Sequence, residues 1–332
     1  MELVLLFVKT EFKHTMENKK IFITGGAGFI GSHLVKNFLQ KNWKVSVLDN
    51  CSAGNKLCAR TMQEIQFYKG DVRNLAMVYE AAKNCDAIVH LAAVVGVDEV
   101  INRKIETIEV ETIGTQNIVK AAKLFGVKKI IYSSSSAVYK NTKNESCQEE
   151  DNLDLVNAYA VAKRLNELYL DALTLEEGIS TNSLRFFNVY GSNQDNRMVV
   201  PRFFEQAMQN KPIQVFGNGR QTRDFTHIDN VVKAIQNLID APRVNGIFNI
   251  SRGIETTILD LAKMIKQISN SNSQIELLDF PKKRKAYKVN RRVGSANKLK
   301  NHVGEKPEII LNEGLERLYN HLSDQIPSAA RQ

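Results

Sequence analysis

The chain has 332 residues, 43% of them hydrophobic, and 45 Lys and Arg stand against 36 Asp and Glu for a formal net charge of +9. That length can bury a large core as one long α/β unit or two domains, and no apolar run reaches the roughly 18 residues that a membrane span needs. Cys51, Cys58, Cys85 and Cys147 form no C-x-x-C pair, have no metal-ligand spacing and follow no secretory signal, so reduced thiols in a cytoplasmic setting and no metal site are expected.

Leu3 to Val8 is apolar but short, without a basic start or a small-residue cleavage site. Met16 directly precedes the first strand, so residues 1–15 read as an N-terminal extension. Ile21 to Ile23 then feeds a glycine loop, Gly25-Gly26-Ala27-Gly28-Phe29-Ile30-Gly31, and Phe29, Ile30, Leu34 and Phe38 recur at helical spacing. Strand, Gly-x-x-Gly-x-x-Gly, helix is the order a dinucleotide pyrophosphate needs. Glycines let the backbone approach the phosphates, whose charge rests at the positive helix N-terminus. The next strand, Lys44 to Leu48, ends at Asp49 beside Asn50. A carboxylate there accepts from both ribose hydroxyls and repels a 2′-phosphate, which selects NAD over NADP.

Ile65 to Lys69 is the following strand, closed by Gly70-Asp71-Val72. Asp71 is placed either to meet the adenine amine or to cap the helix that starts near Leu75. Ala87 to His90 reads as a buried parallel strand, and Leu91-Ala92-Ala93 supplies small residues under the cofactor. Ile105 to Phe125 is a long helix, and Lys129 to Ser133 is a strand running into Ser133 to Ser136 and Ala137-Val138-Tyr139. Five strands alternating with helices predict a doubly wound parallel sheet, with the site outside its carboxyl ends. On the next helix, Tyr159 and Lys163 lie one turn apart on one face. An ammonium near a phenol favours the phenolate, which suits a base that takes a proton from an alcohol.

These motifs together resemble the extended short-chain dehydrogenase/reductase family, within it the nucleotide-sugar epimerase/dehydratase group, and most of all UDP-glucose 4-epimerase-like enzymes. The likeness runs from about Lys20 onwards, through Leu184-Arg185-Phe186-Phe187-Asn188 and Asn218-Gly219-Arg220-Gln221-Thr222-Arg223-Asp224-Phe225. It implies a Rossmann domain over 16–185 and a smaller C-terminal α/β substrate domain over 186–332, with a segment near 225–250 returning to the first. It implies NAD held by Gly25, Gly28, Phe29, Ile30, Gly31, Asp49, Asn50, Asp71, Val72, Leu91, Ala92, Ala93, Tyr159 and Lys163. Tyr159 is the implied base, Lys163 tunes it and holds the nicotinamide ribose, and Ser135 holds the sugar hydroxyl, with Ser134 and Ser136 as competitors. Asn188, Arg223 and Arg284 are the implied anchors of the substrate's diphosphate end. A homodimer through the two long helices is implied as well.

Departures from the family pattern narrow the chemistry. Dehydratases carry an acidic pair after the catalytic hydroxyl and decarboxylases tend to carry a Glu, whereas Ser136 and Ala137 follow Ser135 here. Glu111 stands where an asparagine is usual, and the cofactor-proximal lysine of UDP-galactose epimerases is missing from 92–96. The C-terminal Arg-x-Gly-Asp has become Arg284-Lys285-Ala286-Tyr287. The expected activity is therefore NAD-dependent C4 epimerisation of a nucleotide-diphosphate sugar. A reductase, dehydrogenase or dehydratase of the same group is the first alternative. A non-catalytic NAD-binding scaffold or RNA binder using Lys282 to Lys285 is the second, but no nucleic-acid or membrane partner is expected. Arg291 falls near the sugar, where an arginine would favour a carboxylated one.

Overall fold

The computed structural model describes residues 19–139, 145–241, 243–304 and 308–325; the expected extension, 1–15, lies outside them. The first half alternates β1 (Lys20–Thr24), α1 (Phe29–Gln40), β2 (Lys44–Asp49), α2 (Ala59–Glu64), β3 (Gln66–Lys69), α3 (Leu75–Ala82) and β4 (Ala87–His90). It continues with α4 (Val97–Asn102), α5 (Lys104–Phe125), β5 (Lys129–Ser135), α6 (Ala158–Glu177) and β6 (Ser180–Phe186). Beyond lie β7 (Asn188–Tyr190), α7 (Val199–Met208), β8 (Ile213–Phe216), β9 (Thr222–His227), α8 (Ile228–Asp240) and β10 (Gly246–Ile250). β11 (Glu255–Thr257), α9 (Ile258–Ile268), β12 (Ile275–Leu278), β13 (Arg291–Arg292), α10 (Asn297–Val303) and α11 (Leu311–Asp324) complete the chain.

Seven parallel strands in the order β10-β6-β5-β4-β1-β2-β3 form the central sheet, two more than the alternation in the sequence predicts. This is a Rossmann-type sheet with helices on both faces. β1 shows why: alternate residues of a strand face opposite ways. Ile21 and Ile23 pack with Leu34, Val35 and Phe38 of α1 and with Val231, Ile235 and Leu238 of α8. Phe22 turns to the other face and joins Val78 of α3, Ile118 of α5 and Leu170 of α6. Apolar residues on both faces make the strands continuous hydrophobic runs, as buried parallel strands require.

Strand order reverses between β1 and β4, so a crevice opens at their carboxyl ends, where ligands bind in such sheets. The C-terminal half roofs it. β11, β9 and β13 form a second sheet that β7 extends along β9, and β8 pairs with β12. Their core is separate, built from Phe203, Phe204, Ile213, Val215, Phe225, Leu261 and Leu315. Among the described residues no helix is long and apolar enough to cross a membrane.

Candidate active site

Gly25 begins the site at φ +69, a left-handed backbone that glycine adopts without strain. Gly31 is required for a different reason: a Cβ there would stand 2.2 Å from the Gly25 carbonyl oxygen. At the N-cap of α1, Gly28 offers no side chain to the first-turn amides, which leaves them for a phosphate. The fit to a dinucleotide is therefore good. At the tip of β2, Asp49 accepts hydrogen bonds from the amides of Ala27 at 2.9 Å and Cys51 at 2.7 Å. Its carboxylate thus braces the loop, and burial raises its pKa despite those bonds.

A cavity of about 450 Å³ runs from this loop to the roof. Gly25, Gly28, Phe29, Ile30, Gly31, Asp49, Asn50, Asp71, Val72, Leu91, Ala92, Ala93, Ser135, Tyr159, Lys163 and Asn188 all line it. Asp71 is not the cap of α3, because Asn74 takes that place and accepts from the Met77 amide. Arg73 grips both oxygens of Asp71 instead, at 3.0 and 2.7 Å, and holds its carboxyl below the usual range.

The floor under Leu91 and Ala92 is tied by Thr24, whose Oγ1 accepts from both amides at 3.2 and 3.1 Å. With its lone pairs so used, Thr24 gives its proton to His90 Nδ1, 2.7 Å away. That leaves the His90 Nε2–H facing Thr115 Oγ1 at 3.3 Å. Burial lowers the His90 pKa to about 3, with a smaller push from Lys163, so this histidine is a neutral spacer.

Asn157 caps α6 by accepting from the Ala160 amide at 2.9 Å, which starts the helix so that Tyr159 falls in its first turn and Lys163 one turn on. Ser135 hydrogen-bonds the Tyr159 oxygen. Of its competitors, Ser134 is committed to Glu167 Oε1 at 2.5 Å and Ser136 is buried. Lys163, 1% exposed, donates to the Ser133 carbonyl at 2.6 Å and sits 4.9 Å above the Tyr132 ring and 5.4 Å from that of Tyr159.

One partner of Lys163 changes the expected electrostatics. Glu111, 0% exposed on α5, places Oε1 2.9 Å from Lys163 Nζ as an ion pair, without the alignment of a hydrogen bond. Its Oε2 accepts from Tyr132 at 3.0 Å. The sequence predicts a phenol acidified by its lysine. Lys163 does lower the Tyr159 pKa, but burial outweighs it and, with a smaller push from Glu111, leaves the pKa raised, against a further small lowering from Ser135.

On the roof, parallel pairing sets Arg292 beside Arg223 and Asn188 beside Phe225. Paired residues and those two apart share a face, so all four look the same way, and Asn188 and Phe225 line the cavity. Arg223 donates to the Thr222 carbonyl at 2.7 Å and Arg292 Nε has no partner. Among the described residues neither meets a carboxylate. Burial pulls each guanidinium down to about 10, aided at Arg223 by repulsion from Arg292. Arg291 turns to the opposite face and pairs with Glu255; Arg223, Arg284 and Arg292 are not among the residues that line the cavity. Arg284 lies across the cleft mouth in a two-pronged pair with Asp98 of α4, its plane 5.6 Å from the Phe216 ring. Lys282 and Lys283 are exposed.

Reading the sequence did not place Glu111 or Arg292 in the site, although both left a signal. Glu111 is a lone carboxylate on the buried stripe Thr107, Glu111, Gly114, Thr115, Ile118 of α5. Adjacent arginines on a strand must face opposite ways, so one of Arg291 and Arg292 had to point inward. Among the described residues no cluster of side chains is arranged to hold a metal.

Fold and site together define an α/β dinucleotide-binding enzyme with a Ser-Tyr-Lys set beside the cofactor crevice. Residues 21–251 match the NAD dependent epimerase/dehydratase family, and the chain belongs to it. It is 31% identical over 309 residues to a candidate UDP-glucose 4-epimerase of Methanocaldococcus jannaschii, covering 92% of this chain and 98% of the relative. It is 34% identical to a UDP-N-acetyl-alpha-D-glucosaminuronate decarboxylase of Bacillus cytotoxicus, covering 80% and 84%. The UDP-glucose 4-epimerase of Thermotoga maritima, solved with UDP-glucose, superposes with a TM-score of 0.86 at 28% identity over 92% and 99% of the two chains. The protein is thus an NAD-dependent enzyme of a group that acts on nucleotide sugars and includes epimerases, decarboxylases and dehydratases.

Replacing Asp49 by Ala should weaken NAD binding about ten- to a hundredfold, the equivalent of one lost charge-assisted contact, and narrow the preference over NADP. Calorimetric titration with both cofactors measures this, and a wild-type preference for NADP would overturn the role given to Asp49.

Proposed function

We propose that the protein epimerises a nucleotide-diphosphate sugar at C4, through a keto sugar that turns its other face before reduction. The observation that carries this reading is the Ser135-Tyr159-Lys163 set, with Ser136 and Ala137 rather than an acid following Ser135. Bound NAD supplies a hydride acceptor that returns what it takes, so no net redox change results. In its phenolate form Tyr159 takes the proton of the sugar hydroxyl on Oη and gives it back, Ser135 holds that hydroxyl, and Lys163 fixes the geometry from below. With no carboxylic acid beside Ser135 to protonate a leaving water, elimination lacks its acid.

Arg223 and Arg292 suit the anionic end of the substrate. Two forked donors without acid partners are costly while empty and repaid by an anion that both can grip. Arg284 is committed to Asp98, so Arg292 takes the second place that the family resemblance assigns to Arg284. A homodimer fits the outer faces of α5 and α6, where Ile105 is 75% exposed and Val161, Leu165, Leu168 and Tyr169 form an open stripe at helical spacing. Two such pairs can close as a four-helix bundle.

Incubation with a panel of UDP-, GDP- and dTDP-sugars, read by NMR, should yield an epimer of one of them without net NADH. A product lacking water or carbon dioxide would replace epimerisation by dehydration or decarboxylation. Tyr159→Phe should abolish turnover and leave NAD bound; near-normal activity in that variant would remove the acid/base role. Arg292→Met and Arg223→Met should each raise KM about ten- to a hundredfold for the sugar nucleotide with NAD affinity unchanged, whereas Lys282→Ala should do neither. If only Arg284→Ala raises KM, the assignment of Arg292 fails. Light scattering at micromolar concentration should give twice the 37.5 kDa chain mass, and a monomer would exclude the helix pairing.

A further inference from the structure

Glu111 has no part in the proton transfers described above, yet it is one of the most deeply buried charges in the protein. α5 brings it to the catalytic lysine from the side opposite the cavity strand, and its position is fixed at four points. Oε1 meets Lys163 at 2.9 Å, Oε2 takes the Tyr132 hydroxyl at 3.0 Å, and its carbonyl accepts from Asn166 at 3.0 Å and Thr115 at 2.7 Å. Asn166 also donates to the Tyr132 hydroxyl at 2.9 Å, so α5, β5 and α6 are cross-linked around this carboxylate. Such an arrangement keeps Lys163 and Glu111 together.

We propose that Glu111 is a positioning residue that compensates the charge of Lys163 and thereby keeps Tyr159 in its phenol form in the resting protein. The inference rests on Tyr159 being the acid/base. Two charged side chains act on Tyr159, Lys163 from its own helix and Glu111 from α5. β4 contributes His90, which is neutral, and β5 contributes the Tyr132 phenol and the Ser133 and Ser135 hydroxyls. A cation one turn away draws the phenol toward phenolate, and an anion in contact with that cation offsets part of the pull. Lys163 is then left to hold the Ser133 carbonyl and the Tyr159 ring in place. The Tyr159 pKa is raised chiefly by burial; Lys163 works against that rise and Glu111 adds to it.

The test is an NMR titration of the full-length protein labelled at tyrosine Cζ. Of nine tyrosines, Tyr159 is identified by the resonance missing from the Tyr159→Phe variant. In the wild type it should remain mostly phenol through about pH 10, the ordinary midpoint of a free tyrosine, because its pKa is raised. Glu111→Gln leaves the ammonium uncompensated, so the Tyr159 midpoint should fall by on the order of one pH unit or more. The rise of kcat/KM with pH should move down with it. Glu111→Asp keeps the charge and should keep the wild-type midpoint. A Gln variant whose folded form titrates like wild type, or an Asp variant that shifts as far as Gln, would overturn the proposal. Should the Gln variant not fold, the wild type alone decides, since phenolate below about pH 8 is incompatible with a compensated lysine. Because the titration needs no turnover, activity retained in Tyr159→Phe would defeat the acid/base reading while leaving the charge balance measured.

Discussion

Two buried ion pairs grip the helix α6, one to α5 and one to the central sheet, and the geometry of the site depends on them. Lys163 meets Glu111, and Arg185 meets Glu167 with both carboxylate oxygens at 2.8 Å. Each ion taken from water costs several kcal/mol, which only close pairing and further hydrogen bonds offset. Both pairs have those bonds. Arg185 reaches Tyr139 at 2.8 Å and the Glu149 carbonyl at 3.0 Å, and Glu167 takes Ser134 and Arg164 as well. Burial raises the Glu167 pKa, but Arg185 and the hydroxyl outweigh it and the net shift is downward. The serine strand is therefore held at Ser133 through Lys163 and at Ser134 through Glu167. Ser135, next in line, is left to face Tyr159.

The same accounting separates the two ends of the cavity. At the dinucleotide end the carboxylates Asp49 and Asp71 are braced by backbone amides and by Arg73. At the roof, among the described residues, the guanidinium groups of Arg223 and Arg292 meet no carboxylate.

Much of this was legible in the sequence, and what was hidden has a common cause. The glycine turn and the Tyr-x-x-x-Lys spacing are local patterns in which neighbouring residues fix each other's geometry, so the dinucleotide crevice and the site for Tyr159 and Lys163 emerge from the chain alone. Parallel runs such as Ile21 to Ile23 and Ala87 to His90 announce strands buried on both faces. The C-terminal strands are another matter. β10 joins the central sheet from far along the chain, and β13 is two residues long, too short for any periodicity. Long-range partners were equally invisible. That Asp98 would hold Arg284 across 186 positions, or that Glu111 would meet Lys163, follows from how helices stack rather than from either segment. Asp71 shows the converse: its local reading as a helix cap loses to Asn74, three residues closer to the helix.

Net charge is the poorest guide to the substrate. Most of the basic side chains near the cleft are already matched: Arg73 with Asp71, Arg103 with Glu106, Arg197 with Asp195, Arg284 with Asp98, Arg291 with Glu255. A matched surface pair contributes about 0–1 kcal/mol and is screened by salt, so it advertises a basic protein without selecting a ligand. Arg223 and Arg292 differ in kind. They are drawn out of water next to each other, so each makes the other's charge harder to hold. In that low-dielectric setting an arriving anion gains far more than it would at the surface, and the gain falls away if the anion is missing or misplaced. On the proposed reading, affinity for an anionic substrate would reside in these two half-buried arginines rather than in the excess of basic residues that gives the chain a charge of +9.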